Sequence, residues 1–282
     1  MPAEPLSEIV RRALAEDVGT GDVTTAATVP ADARARARIV QKQAGVAFGL
    51  DLVGEAMRQC GVEHVDRLVV EGQWRDGVPA EVLLASGPAA ALLTAERTGL
   101  NFLGHLSGIA TLTARFVEAV AGSGAQILDT RKTTPGLRGL EKAAVAAGGG
   151  RNHRLGLDDA ILIKENHIAL AGGVAKAIYL ARKAQPELPV EVEVRNLDET
   201  AYALGVGADR LLLDNMDPET LRGAVKLRDQ NSTGTGPTLE ASGGVDLETV
   251  RGIAETGVDL ISVGAITHSA PSLDFSLLME PA

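Results

Sequence analysis

The chain has 282 residues, room for one large domain or two ordinary ones, with 45% hydrophobic residues, 23% charged residues and a net charge of 27 − 37 = −10. This composition excludes a largely disordered chain, and the acidity makes nucleic acid a poor partner. Cys60 is the single cysteine, which excludes an intrachain disulfide and a cysteine-based metal site, and no apolar run reaches about 18 residues, so no membrane span is expected.

Cys60 itself reads as a small apolar residue near a helix end. With aromatics at 2%, the core must be built from Ala, Val, Leu and Ile. The opening Met1-Pro2-Ala3-Glu4-Pro5 lacks a basic stretch followed by an apolar one, so it is not a secretory signal and a cytoplasmic protein is expected.

Leu6, Ile9, Val10 and Leu14 fall at helical spacing and predict a helix over 6–16, followed by a loop over 16–24 with two acids and two glycines. Residues 33–48 alternate Ala33, Ala35, Ala37 and Ile39 against Arg34, Arg36 and Arg38, the pattern of a half-exposed strand that turns near Gly45. A helix over 50–59 and strands over 65–70 and 80–85 follow. From 89 to about 121 the pattern is helical, with breaks expected near Gly104 and Gly108.

Beyond Gln126 the rhythm changes. Apolar runs at 127–128, 160–163, 190–194, 211–213, 239–241 and 260–263 alternate with helical patterns, which reads as βα units around a parallel sheet. Nearly every run carries polar residues at its end: Asp129-Thr130-Arg131-Lys132, Lys164-Glu165-Asn166, Glu191 and Glu193, Asp214-Asn215, and Glu240 followed by Ser242-Gly243-Gly244. Ligands gather at the carboxyl ends of parallel strands, and polar ends on so many strands favour a barrel with one shared site over an open sheet.

Three signals point to a highly anionic ligand. Ser242-Gly243-Gly244 and Gly264-Ala265 follow the last two strands, where barrel enzymes often hold a phosphate, although such glycines can also serve only tight turns. Arg131, Lys132, Arg138, Lys142, Arg151, His153, Arg154 and Lys164 crowd one stretch of an acidic chain, either as an anion site or as a solvated basic face. Glu193 and Asp214, on different strands, suit Mg²⁺ or sugar hydroxyls, or ion pairs with Lys132 and Lys164. There is no Walker A stretch, no dinucleotide fingerprint, no nucleophile elbow and no His-x-x-x-His pair.

The sequence resembles the quinolinate phosphoribosyltransferases over nearly its whole length. The most specific stretch is DTRKTTPGLRGLEKAAVAAGGGRNHRLGLDDAILIKENHI at 129–168. EDVGTGDVTT at 16–25, ERTGLNFLGHLSGIATLT at 96–113, VEVEVRNLDE at 190–199, LLLDNM at 211–216, LEASGGV at 239–245 and ISVGAITHSAPSLDFSL at 261–277 add to it. The segment around 231–237, rich in Gly and Thr, reads as a variable loop.

The resemblance implies an N-terminal α/β sandwich over 1–110, rejoined by a tail at 271–282, and an incomplete α/β barrel over 111–270. It implies at least a homodimer, Mg²⁺, and conversion of quinolinate and phosphoribosyl pyrophosphate to nicotinate mononucleotide, pyrophosphate and CO₂ in NAD biosynthesis. It further implies that Arg131, Arg154 and Lys164 hold the quinolinate carboxylates with His153 beside them, and that Arg97 reaches the acid from a neighbouring subunit. Lys132 would meet the pyrophosphate. Glu193 and Asp214 would position Mg²⁺ and the ribose hydroxyls. Ser242, Gly243, Gly244, Val263, Gly264 and Ala265 would bind the 5′-phosphate, and Thr130 joins the substrate-binding set. The catalytic set is Lys132, Lys164, Glu193 and Asp214. Two rivals remain: a paralogue acting on another heterocycle, such as the relative associated with molybdenum transport, and a noncatalytic sensor of phosphate ligands. In the type I phosphoribosyltransferases adjacent acids follow a hydrophobic strand. Here Asp214 is followed by Asn215, so that fold is not the match.

Overall fold

The computed structural model describes residues 4–231 and 236–282. The leader reading at 1–3 and the middle of the expected loop at 231–237 lie outside the described residues. The chain divides into two units: the residues through Ala114 with Gly139–Gly149 and Ala270–Ala282, and Arg115–Arg138 with Gly150–Ser269. The sequence expectation placed all of 111–270 in the barrel; 139–149 instead groups with the N-terminal residues.

In the N-terminal unit, strand Arg34–Gln41 lies between Ala80–Pro88 and the C-terminal strand Phe275–Pro281, antiparallel to both, and His64–Arg67 pairs with the far edge of Ala80–Pro88. The alternation seen in the sequence becomes a two-faced strand, with Ala35, Ala37 and Ile39 buried and Arg34 and Arg36 exposed. On its apolar face Ile39, Val82, Leu83 and Phe275 join Leu50, Val53 and Met57 of helix Leu50–Cys60 and Leu92, Ala95 and Leu103 of helix Ala89–Ala119 in one core.

Two expectations change here. The loop over 16–24 is interrupted, because the first helix continues to Val18 and a short helix, capped by the Asp22 side chain at Thr25 N (3.0 Å), starts at Val23. Helix Ala89–Ala119 runs unbroken through Gly104 and Gly108. These glycines mark close approach: a Cβ at Gly104 would stand 3.1 Å from the Leu273 carbonyl oxygen, and one at Gly108 would collide with that of Pro271. Helix Arg138–Ala147 uses the same device, since a Cβ on the following Gly148 would collide with the Ala110 carbonyl oxygen.

The second unit is a sheet of six parallel strands. In chain order they are Gln126–Leu128, Ile161–Ile163, Val190–Val194, Arg210–Asp214, Thr238–Ser242 and Leu260–Ser262. Calling them first to sixth, their spatial order is 1-6-5-4-3-2. That order is cyclic, as in a barrel left open between the first and second strands, and it agrees with the incomplete barrel read from the sequence. At the open edge Arg151 stands in for a strand residue, its N–H bonded to Ile127 O (2.8 Å) and its carbonyl to Asp129 N (3.1 Å).

The outward faces of these strands are apolar and buried: Val190, Val192, Leu211, Leu213, Leu239 and Ile261 are at most 0% exposed. The alternate positions face the lumen and include Glu191, Glu193, Arg210, Asp214 and Glu240. Branched apolar residues usually fill a barrel of this kind; here charged side chains share the lumen with Leu162, Leu212 and Leu260.

Candidate active site

Among the described residues of the second unit, cavities lie at both ends of the sheet. The larger, about 570 Å³, is lined by residues that begin strands, Gln126, Arg210, Thr238 and Leu260, together with Arg151, Arg228 and Asp259. The smaller, about 340 Å³, lies at the carboxyl ends and is lined by Thr130, Arg131, Lys132, His153, Arg154, Lys164, Glu193, Asp214 and Ser242, with Glu240 and Ser262. Barrel ligands sit at the carboxyl end, so the smaller cavity is the candidate site despite its size. Nine residues named from the sequence line it.

The remaining named residues are elsewhere. Arg97 lies on helix Ala89–Ala119 of the N-terminal unit, lining a separate cavity there with Asp17, Asp22 and Thr94, and its charged neighbour is Glu96 at 3.9 Å. Val263 is buried, which leaves only its backbone to meet a ligand, and its N–H is bonded to Leu128 O (2.9 Å). Gly264, just before Ala265, lies against the Lys132 stem, 3.1 Å from a would-be Cβ to Lys132 Cδ. Gly243 and Gly244 both have positive φ, +100° and +59°. Gly243 has a second reason to be glycine, because a Cβ there would overlap the Asn215 side chain. Asn215 is the one described non-glycine residue with positive φ (54°); its N–H is bonded to Ser242 O (2.8 Å) and its Nδ2 donates to Asp214 Oδ2 (2.9 Å). A left-handed residue at a strand end is a strained device that aims its neighbour, here Asp214.

The basic stretch is not one cluster. Lys142 is buried in the N-terminal unit and Arg151 lines the opposite cavity. Arg138 braces two loops, donating to Thr133 Oγ1 (2.9 Å) and Leu155 O (3.3 Å). What remains at the candidate site is still strongly cationic. Arg131 Nε is buried with no hydrogen-bond partner, a donor waiting for an acceptor. Burial, and then the adjacent Arg131 charge, push the Arg154 pKa down. An anion between the two guanidiniums relieves both effects. Lys164, N-terminal cap of helix Glu165–Ala171, pairs with Glu193.

Under these groups lies a buried cluster. His153 Nε2 is 3.0 Å from Glu191 Oε2 and 3.4 Å from Glu240 Oε2, and Arg210 Nη1 is 3.4 Å from the same Glu240 oxygen. Burial pushes the His153 pKa down, and hydrogen bonds to Glu191 and Glu240 pull it up. The Arg154 N–H, however, donates to His153 Nδ1 at 2.8 Å. A second ring proton would sit on that nitrogen, so the hydrogen-bond geometry holds the ring as the Nε2–H tautomer. Burial raises the Glu191 pKa, while the bond from His153 lowers that of Glu240 against its own burial. The sequence located Glu191 and Glu240 on strands without a role; their alternation with outward valine and leucine was the available signal.

The family model for the quinolinate phosphoribosyl transferase C-terminal domain matches residues 109–278, and that for the N-terminal domain matches 22–107. The nicotinate-nucleotide pyrophosphorylase [carboxylating] of Mycobacterium leprae is 45% identical, covering 96% of this chain and 95% of its own length. The probable enzyme of that name from Bacillus subtilis is 40% identical, covering 96% and 92%. The solved structure of the nicotinate-nucleotide pyrophosphorylase from Francisella tularensis superposes with a TM-score of 0.93 at 40% identity, covering 99% and 98%. On these matches the chain belongs to the quinolinate phosphoribosyl transferase family.

Proposed function

We propose that this chain transfers the phosphoribosyl group of phosphoribosyl pyrophosphate to quinolinate with loss of CO₂, giving nicotinate mononucleotide and pyrophosphate for NAD synthesis, and that it does so in the cavity at the barrel mouth. The observation that carries the reading is the unpartnered, buried Arg131 Nε beside Arg154 and Lys164. Quinolinate is a planar diacid, and guanidinium forks match carboxylates at two points. Together with a donor of roughly −4 to −5, it brings strong negative charge into a cavity lined by four lysine and arginine side chains.

Arg131, Arg154 and Lys164 bind the carboxylates, and Lys132, which with Thr130 lines the same wall, meets the pyrophosphate. As that group leaves, positive charge grows on the ribose, and Glu193 and Asp214 stand on neighbouring strands to stabilise it and to accept from the ribose hydroxyls. The pyridine nitrogen bonds to the ribose carbon. The resulting pyridinium accepts the electron pair left when the adjacent carboxylate departs as CO₂, and a proton takes its place on the ring carbon. Backbone at 242–244 and 263–265 holds the 5′-phosphate. Most of the rate comes from positioning and charge.

The donor set fits Mg²⁺. Glu193 and Asp214 are two carboxylates facing one cavity, Asp214 carrying a neutral partner in Asn215, and they close no all-protein cage. A dication shared with phosphate oxygens needs such an open pair. Glu193 and Asp214 would hold the ion, directly or through water. When bound, it supplies positive charge to the departing pyrophosphate.

We also propose a homodimer or larger assembly in which Arg97 of a second copy reaches the diacid. Its guanidinium is mostly exposed. Among the described residues no helix is long and apolar enough to cross a membrane, and we place the enzyme in the cytoplasm.

The test is an end-point assay with Mg²⁺, the phosphoribosyl donor and either quinolinate or nicotinate. Equal nicotinate mononucleotide and CO₂ from quinolinate alone is the expected result. No product from quinolinate with folded protein would overturn the reading in favour of another heterocycle or a sensor.

A further inference from the structure

We propose that Glu191 and Glu240 are positioning residues: from the barrel lumen they clamp the His153 ring, and the ring in turn fixes the backbone of Arg154, so that the guanidinium is set for a substrate carboxylate. The inference rests on the proposal that Arg154 binds the diacid.

The geometry is a column. At its base Arg210 and Glu240 pair across adjacent strands (3.4 Å). Above them Glu191 and Glu240 receive the Nε2–H of His153 at 3.0 and 3.4 Å. At the far side of the ring, Nδ1 accepts the Arg154 N–H at 2.8 Å. The His153 backbone is fastened as well, its N–H bonded to the buried Asp129 Oδ1 (2.8 Å), and Arg151 is hydrogen-bonded to the first strand on both sides of its peptide. Residues 151–154 have no strand of their own at this open edge, so these bonds fix their course.

In this arrangement both ring nitrogens are engaged by the protein, and the side chain is 9% exposed. His153 therefore acts through Arg154 rather than as a free donor to the ligand. The lumen would be packed more favourably by leucine, since Glu191 Oε1 and Glu240 Oε1 are both buried without a partner. What two carboxylates provide, and leucine cannot, is a pair of acceptors that define where one N–H points. The three side chains also bring ligand atoms within 4.8 Å of one another, so a divalent cation is the rival occupant. Against it, the ring already donates to both acids and Arg210 balances Glu240.

The experiment uses the full chain and its Glu191→Leu, Glu240→Leu, Glu191→Gln and Glu240→Gln variants, with KM measured for each substrate, melting temperature, and metal content after dialysis. The leucine variants should raise KM for quinolinate roughly 10–100-fold, the size of a lost hydrogen bond to a charged group, with little change for the phosphoribosyl donor. The glutamine variants still accept from Nε2–H and should restore most of the quinolinate affinity. Equal changes for both substrates, or a loss of kcat with both KM values unchanged, would reduce the cluster to packing and overturn the proposal. So would a stoichiometric metal lost with either glutamate. Should the leucine variants not fold, nitrogen-15 spectra of histidine-labelled wild type decide: the Nε2–H tautomer at neutral pH is required, and an imidazolium or the Nδ1–H form contradicts the clamp. If wild type makes no product from quinolinate, the functional reading fails, while the tautomer still reports on the clamp.

Discussion

The two interiors of this chain are built on the same alternation and filled with opposite chemistry. In the N-terminal sheet the inward residues Ala35, Ala37 and Ile39 are apolar and meet Leu83, Leu92 and Leu103 in one core. In the parallel sheet the outward residues are the apolar ones, and the inward set includes Glu191, Glu193, Arg210, Asp214 and Glu240. The first interior is held by removal of apolar surface from water, about 25 cal/mol per Å². The second holds charges that are mostly paired, as Lys164 with Glu193 and Arg210 with Glu240, while Arg131 Nε, Glu191 Oε1 and Glu240 Oε1 are buried without a partner. Stability and ligand handling are therefore separable by position, and substitutions in the two places should fail in different ways.

The sharpest contrast comes from the mouth of the lumen. Lys164→Ala and Glu193→Ala each break the Lys164–Glu193 pair and should lower kcat/KM at least about a hundredfold, as loss of one preorganised charged group does, with a small change in melting temperature. An unchanged kcat and Mg²⁺ dependence in Glu193→Ala would remove that residue from the chemistry. In the apolar interior, Leu83→Ala, at a fully buried position, should cost about 2–5 kcal/mol in denaturant unfolding while the folded fraction keeps its specific activity. A loss of activity per folded molecule would show that the two interiors are not independent.

The smallest effect belongs to the surface. Hydrogen bonds from Arg58 and then Gln59 lower the Glu55 pKa to about 2. A depressed carboxylate stabilises the folded state above its ordinary value, 4.5, and that contribution is lost as pH falls through about 2. Arg58 is largely exposed, so solvent screens the pair. Glu55→Gln should move the melting temperature by no more than about 2 °C at neutral pH, and the gap from wild type should narrow below pH 4.5. A gap that widens in acid would invert the assigned sign.

Much of this was legible in the sequence, and the reasons are physical. A period of two exposed the strand Arg34–Gln41, and short apolar runs recurring between helical patterns exposed the six barrel strands, because those elements bury apolar side chains. Strand ends located Arg131, Lys164, Glu193 and Asp214 at one mouth. What local pattern does not encode is contact across the chain. Gly104 and Gly108 looked like helix breakers, and their use lies in the carbonyls of Leu273 and Pro271 far along the sequence. Lys142 and Arg151 read as members of one basic cluster, and the fold sends them to other places. Gly243 looked like a phosphate glycine, and it also makes room for Asn215. Glu191 and Glu240 stood in plain sight, but only the closure of the sheet brings both to His153.

The most direct measurement is a crystal structure of this chain with quinolinate bound. The account predicts the diacid at the carboxyl ends of the barrel strands, its carboxylates on Arg131, Arg154 and Lys164, and Arg131 Nε satisfied. Quinolinate in the opposite cavity beside Arg151 and Arg228, or in the barrel mouth with Arg131 and Arg154 untouched, would contradict it.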